Sequence, residues 1–299
     1  MIETIELTKR FDSFTALDQV NLTVRQGSVY GLVGPNGAGK TTLIRHLAGV
    51  YSPTSGEVLV DGKPVFENTA VKARIACIPD EIFYFQQAST RDMMAFYRDI
   101  YPRFNMDRYN ALRGVFTTVD EKRTIRRLSK GMQKQSAFWL ALSAMPDVLL
   151  LDEPVDGLDP IMRRQVWSLI MDDVVERGMT VLVSSHNLRE LEDVCDCMGV
   201  MDGGRLVFQR AVSELQENLV KVQVVFSGEE PQLPPELPIL HREKAGRIHT
   251  LIVRASSEEV RERLAPFSPI LLDTIPLTLE EIFIYELGGV DRGVKDILL

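Results

Sequence analysis

Apolar and polar residues alternate from Glu3 to Leu7 and again from Val20 to Val24, the two-residue period of strands that bury one face. Val29-Tyr30-Gly31-Leu32-Val33 then runs into a glycine-rich turn, after which Leu43, Ile44, Leu47 and Ala48 recur at helical spacing. Strand, loop and helix thus follow one another directly. Val148 to Leu151 and Thr180 to Val183 are apolar throughout and end in polar residues, as central strands of a parallel sheet covered on both faces do. From Asp80 to Asp147 the pattern is helical. Met93, Met94, Phe96, Tyr97, Ile100, Tyr101 and Phe104 predict the core of a helical insert.

Beyond Arg210 the character changes. Val222 to Phe226 and Leu251 to Val253 read as strands, and Pro231, Pro234, Pro235 and Pro238 mark a loop between them. Ser213–Gln216, Ser256–Glu259 and Thr278–Glu281 have capping-box spacing ahead of apolar runs. A small mixed α/β domain is expected there. Its last helix should carry Leu279, Ile282, Phe283 and Glu286 along one stripe.

The 299 residues suffice for one large core and an appendage, but not for two large cores. The formal net charge of −8 argues against a nucleic-acid partner, which calls for a basic face. Cys195 and Cys197 fall on an expected helix, where positions two apart do not face each other, so neither a zinc pair nor a disulfide framework is expected. No stretch of some 20 apolar residues occurs, so any membrane role must come through a partner.

Two motifs carry the chemistry. Gly34-Pro35-Asn36-Gly37-Ala38-Gly39-Lys40-Thr41 matches the phosphate-binding loop in its required strand-to-helix setting. Glycines let the backbone close around phosphate oxygens with its N–H groups turned inward. The helix that follows aims its positive end at the same anion. Lys40 is expected to reach the β- and γ-phosphates, and Thr41 to ligate Mg²⁺. Val148 to Leu151 leads into Asp152, Glu153 and Pro154; the two acids leave the strand on opposite faces, so one can hold Mg²⁺ while the other faces attacking water.

Just upstream, Leu128-Ser129-Lys130-Gly131-Met132-Gln133 resembles the signature sequence of the ATP-binding-cassette (ABC) ATPases. Gly157-Leu158-Asp159 looks like that family's D-loop, and Ser184-Ser185-His186 like its switch histidine. Residues 1–212 resemble the family with every motif in order. The resemblance implies an α/β P-loop NTPase core over 1–212, a helical subdomain at about 80–147 and a C-terminal accessory α/β domain over 213–299. It implies an ATP-hydrolysing subunit, of bacterial export type, that drives a separate transmembrane permease. Such a subunit would lie on the cytoplasmic face of the membrane and pair with a second copy or a homologous subunit. Each ATP, with Mg²⁺, would then lie between one copy's P-loop, including Thr42, and the other's Ser129 and Gly131. Asp152 would hold Mg²⁺, Glu153 polarise the water and His186 contact the γ-phosphate. Phe11 occupies the place of an adenine-stacking aromatic, or else is a packed edge residue. The rival readings are a soluble non-transport ABC ATPase and an ATP sensor with little turnover.

The chain departs from the family pattern at Lys130 and Met132, where glycine and glutamine are typical, and at Asp80, where glutamine is usual. A carboxylate can still ligate Mg²⁺ but cannot donate hydrogen bonds as an amide does. Gln86 and Gln87 are the alternatives, although both lie beyond the expected place. Phe83, Tyr84 and Phe85 open the insert where the family docks a permease loop; packing in the insert's own core is the other reading.

Overall fold

In the computed structural model, residues 1–82, 84–217, 219–227, 233 and 237–287 are described, with backbone alone at 216, 217, 283, 286 and 287. One unit comprises Met1–His186 and Val194–Gln209; the other comprises Asn187–Asp193 and the chain from Arg210 onward.

The first unit begins with β1 (Ile2–Phe11), β2 (Phe14–Val24), β3 (Val29–Val33), α1 (Lys40–Leu47), β4 (Ser55–Val60), β5 (Lys63–Pro64), α2 (Thr69–Lys72) and β6 (Ile75–Ile78). The helical insert follows with α3 (Thr90–Ile100), α4 (Met106–Leu112) and α5 (Lys130–Ser143). The chain then forms β7 (Val148–Asp152), α6 (Pro160–Arg177), β8 (Thr180–Ser185), β9 (Cys197–Asp202) and β10 (Arg205–Ala211). The alternating N-terminal segments build an antiparallel sheet in the order β2-β1-β4-β5, and the apolar runs build a second sheet in the order β10-β9-β3-β8-β7-β6. In that second sheet β3, β7 and β8 are buried along their whole length, so water is excluded from both faces.

The strand order positions the chemistry. β3, β8 and β7 are parallel neighbours, with Val33 opposite Ser185 and Asp152 opposite Ser184. The P-loop, His186 and the Asp152–Glu153 pair therefore leave the same C-terminal end of these parallel strands, although they are far apart in sequence.

Side-chain caps set where the insert's helices start. Ser89 and Asp92 form a complete capping box on α3, Asn105 caps α4, and Ser129 caps α5 by accepting from Met132 N. The insert's core differs from the expected stripe. Met93 is buried, but Phe96 and Ile100 are exposed; Tyr109, Phe116 and Trp139 fill the interior instead. Trp139 stacks on Tyr109 at 4.7 Å, and its Nε1 donates to the Tyr109 carbonyl at 2.8 Å. Tyr84 is buried and Phe85 exposed, while Phe83 lies outside the described residues.

The expected helix around the two cysteines is not there. Cys195 lies in irregular backbone just past a turn and Cys197 begins β9, whose pairing with β3 overrides the local helical pattern. Gly199 lets β9 pass Tyr30, because a Cβ there would come within 2.0 Å of the Tyr30 hydroxyl. All three cysteines are free thiols.

The second unit contains α7 (Val212–Glu217), β11 (Val220–Val225), β12 (Ile239–Ala245), β13 (Ile248–Val253), α8 (Ser257–Leu264), β14 (Leu271–Ile275) and α9 (Leu279–Leu287). Its antiparallel sheet runs β12-β13-β11-β14 over a core that includes Val222, Val224, Leu251, Val253, Val260 and Leu264. Ser256 caps α8, and Thr278 and Glu281 exchange both bonds of a capping box. α7 starts at Val212, so Ser213 lies inside that helix and not at its cap. In α9, Leu279 and Ile282 are fully buried; the side chains of Phe283 and Glu286 lie outside the described residues, as do Pro231, Pro234 and Pro235. Within this unit, Glu192 Oε1 accepts from Leu279 N at 2.8 Å and Arg189 pairs with Glu280 at 2.9 Å. No helix of the described residues is long and apolar enough to cross a membrane.

Candidate active site

α1 opens on Gly39 at φ 103°, with no side-chain cap, so its first N–H groups face outward. A Cβ at Gly39 would meet the Ala16 carbonyl at 2.8 Å, and the positive φ would strain any other residue. Pro35, Asn36, Gly37, Ala38, Gly39, Lys40, Thr41 and Thr42 line a cavity of about 300 Å³ with Phe14, Ala16, Asp80 and Glu153. A cavity of about 380 Å³ around His46, Tyr51 and Phe66 holds none of the motif residues that carry the chemistry. Lys40 is buried, its ammonium donating to the Gly34 carbonyl at 2.6 Å and lying 3.7 Å from Glu153 Oε1. Burial lowers its pKa, and the carboxylates of Glu153 and Asp152 oppose that shift.

Asp152 and Glu153 sit differently at the end of β7. Asp152 is buried, and its Oδ1 accepts from the Ser184 hydroxyl at 2.5 Å. Glu153 leaves the strand in the left-handed region, at φ 46°, which turns its carboxylate toward the P-loop. His186 Nδ1 lies 2.9 Å from Glu153 Oε2. Burial raises the Glu153 pKa, and the hydrogen bond from His186 and the nearby Lys40 partly offset that rise. A carboxylate raised this way is better matched to accept a proton near neutral pH. Asp156 joins Glu153 and His186 within 4.8 Å.

Of Asp80, Gln86 and Gln87, Asp80 lines the cavity, while both glutamines lie on an exposed turn. Phe11 packs its edge on Tyr51 at 5.5 Å and is not among the cavity's lining residues, whereas Phe14, three residues on, is. Both aromatics are exposed, Phe11 at the end of β1 and Phe14 at the start of β2. Ser129 and Gly131 also do not line the cavity of their own chain. Ser129 is exposed at the start of α5, and Gly131 presses against the D-loop, where a Cβ would meet the Gly157 carbonyl at 2.5 Å. The signature face and the P-loop cavity are thus separate surfaces of one unit.

Sequence reasoning missed Lys134 and Ser184. Lys134 donates to the Glu153 carbonyl at 2.6 Å, and Ser184 holds Asp152. Lys134 follows the signature residues without a signal of its own, and Ser184 belongs to a run read only for its histidine.

A phosphate loop, an acidic pair on one neighbouring strand and a histidine on the strand between define a P-loop nucleoside triphosphatase. The model of the ABC transporter family matches residues 17–156. The ABC transporter ATP-binding protein YtrB of Bacillus subtilis is 32% identical over 292 residues, spanning 98% of this chain and 100% of the relative. The Nod factor export ATP-binding protein I of Neorhizobium galegae is 32% identical, over 90% of this chain and 80% of its own length. The bacitracin transport ATP-binding protein BcrA of Bacillus licheniformis is 34% identical, over 69% of this chain and 68% of its own. The chain belongs to the ABC transporter family, as an ATP-binding, ATP-hydrolysing subunit. Solved structures share the fold: an ABC transporter ATP-binding subunit aligns at TM-score 0.67 and 22% identity, over 72% of this chain and 92% of its own. A dimeric bacterial ABC transporter cassette aligns at 0.64 and 22%, over 71% and 99%.

Proposed function

We propose that this chain hydrolyses ATP with Mg²⁺ on the cytoplasmic face of a membrane, in two sites shared between paired copies, and so drives export through a separate permease. The observation that carries the site assignment is Glu153, turned by its left-handed backbone to lie 2.9 Å from His186 Nδ1 and 3.7 Å from Lys40. Relatives named for bacitracin transport and Nod factor export support the export reading.

The Thr41 hydroxyl and the Asp152 and Asp80 carboxylates are hard oxygen donors, which fits Mg²⁺; Thr41 and Asp80 line the phosphate cavity. The ion, once bound, would neutralise charge on the β- and γ-phosphate oxygens. Lys40 binds the same phosphates, and the α1 N–H groups complete the cradle. Glu153 takes the proton of the attacking water. His186 orients that carboxylate through Nδ1 and turns its other ring nitrogen toward the γ-phosphate. Ser129 and Gly131 of the second copy close the site, because they do not line the cavity of their own chain. The adenine ring rests on the aromatic hairpin of Phe11 and Phe14. The exposed pair Phe85 and Phe96, with ring centroids 5.2 Å apart, forms an apolar surface suited to a permease loop.

Replacing Glu153 by Gln tests the assignment. ATP should still bind, while steady-state hydrolysis falls by roughly 10²–10⁴-fold, the range of general-base catalysis. Hydrolysis near the wild-type rate would refute it.

A further inference from the structure

The sharpest departure from the family pattern is a carboxylate, Asp80, in place of a glutamine, and the structure gives that carboxylate a partner. Lys134 lies on α5, little more than one turn past the Ser129 cap, and is 5% exposed. Its ammonium donates to the Glu153 main-chain carbonyl at 2.6 Å and lies 3.8 Å from Asp80 Oδ1. A lysine buried this far requires compensation by hydrogen bonds or opposite charge. Both partners here belong to the hydrolytic site.

Glu153 makes this contact informative. It is a non-glycine residue at φ 46°, a strained conformation that persists only where surrounding groups hold it. Its N–H donates to the Ser184 carbonyl at 3.2 Å. Its carbonyl is held by Lys134, so both sides of the strained residue are tethered. The side chain that results points at His186 and Lys40.

We infer that Lys134 is a positioning residue for hydrolysis: it clamps the Glu153 carbonyl while pairing with Asp80, and so joins the signature helix, the Asp80 loop and the base. The inference rests on Glu153 being the base. The carboxylates of Asp80, Asp156, Asp152 and Glu153 surround the ammonium and oppose the downward pull of burial on its pKa. The cation also gives the carboxylate at position 80 a partner of opposite charge, 3.8 Å away. Lys134 itself does not line the P-loop cavity, so its loss should act on turnover more than on ATP binding.

The test compares full-length Lys134→Met, Lys134→Gln and Glu153→Gln with the wild type. Lys134→Met removes both the charge and the donor, whereas Lys134→Gln keeps a donor. Displacing a catalytic group by about 1 Å can cost ~100-fold in rate. Lys134→Met should therefore lose about 10- to 100-fold in kcat, with KM and equilibrium ATP affinity within about threefold of wild type. Lys134→Gln should recover part of that loss. Equal losses in kcat and ATP affinity would make Lys134 merely structural and overturn the inference. So would a Lys134→Met enzyme with wild-type kcat while Glu153→Gln is impaired. If Lys134→Met does not fold, Lys134→Gln carries the same comparison, with reduced kcat at unchanged affinity expected and wild-type kcat refuting. Failure of the base assignment would be seen separately, as undiminished hydrolysis by Glu153→Gln.

Discussion

Replacing Gly131 by Ala should destabilise the protein, although helix propensity alone predicts the opposite. Gly131 is the second residue of α5, where alanine would ordinarily be favoured over glycine by up to about 1 kcal/mol. The added methyl, however, would stand 2.5 Å from the Gly157 carbonyl oxygen. That neighbour is backbone and cannot swing aside; Gly157 itself holds a positive φ of 80°. The D-loop or the start of α5 must move by several tenths of an ångström. Overpacking of this kind costs about 1–3 kcal/mol, which outweighs the propensity gain and leaves a net loss of roughly 1–2 kcal/mol. For a domain of this size each kcal/mol shifts the melting temperature by about 2–4 °C, so a fall of about 2–8 °C is expected. Thermal unfolding of the full chain, followed by circular dichroism, measures it, and the displaced D-loop should lower ATPase activity as well. A melting temperature equal to or above wild type would show that the close approach imposes no strain.

Asp80→Ala should raise the Mg²⁺ concentration needed for half-maximal ATPase, whereas Asp80→Gln should retain substantial activity; an unchanged Mg²⁺ dependence in the alanine variant would remove Asp80 from the metal's ligands. Asp147 tests the packing between β6 and β7: its carboxylate accepts from Arg74 Nε at 2.6 Å and pairs with Arg103. Burial opposes ionisation of Asp147, but the two arginines outweigh it and hold the pKa below the ordinary 3.8. A pKa depressed on folding contributes stability above the unfolded value and loses it as pH falls through the folded value. Asp147→Asn should thus melt below wild type at neutral pH, with the gap closing in acid below the ordinary value; a gap independent of pH would contradict this.

The three buried strands of the main sheet were legible because burial on both faces demands uninterrupted apolar runs, as in Val148 to Leu151. The P-loop was legible because it needs glycines and a lysine at fixed spacing. Residues whose role depends on tertiary neighbours were not. Lys134 looks like any lysine on a helix until α5 is packed beneath Glu153, and Cys197 joins a strand only through its pairing with β3. β12, Ile239–Ala245, is almost wholly exposed and carries His241, Arg242, Glu243 and Lys244 in succession, so its edge position left no hydrophobic alternation to read. The segment Asn187–Asp193 follows His186 directly yet groups with the C-terminal unit, through Glu192 on Leu279 and Arg189 on Glu280. No local pattern announces such a pairing.

The most direct test of a site shared between two copies is complementation in a mixed dimer. Lys40→Ala disables the P-loop and Ser129→Arg disables the signature, so each protein alone should be inactive. A heterodimer joins the intact P-loop of the second variant to the intact signature of the first, restoring one of its two sites. With random pairing in a two-fold dimer, about a quarter of all sites become whole, and about a quarter of the wild-type ATPase rate should return. Mixed dimers that form yet hydrolyse no faster than either parent would contradict a site built from two chains.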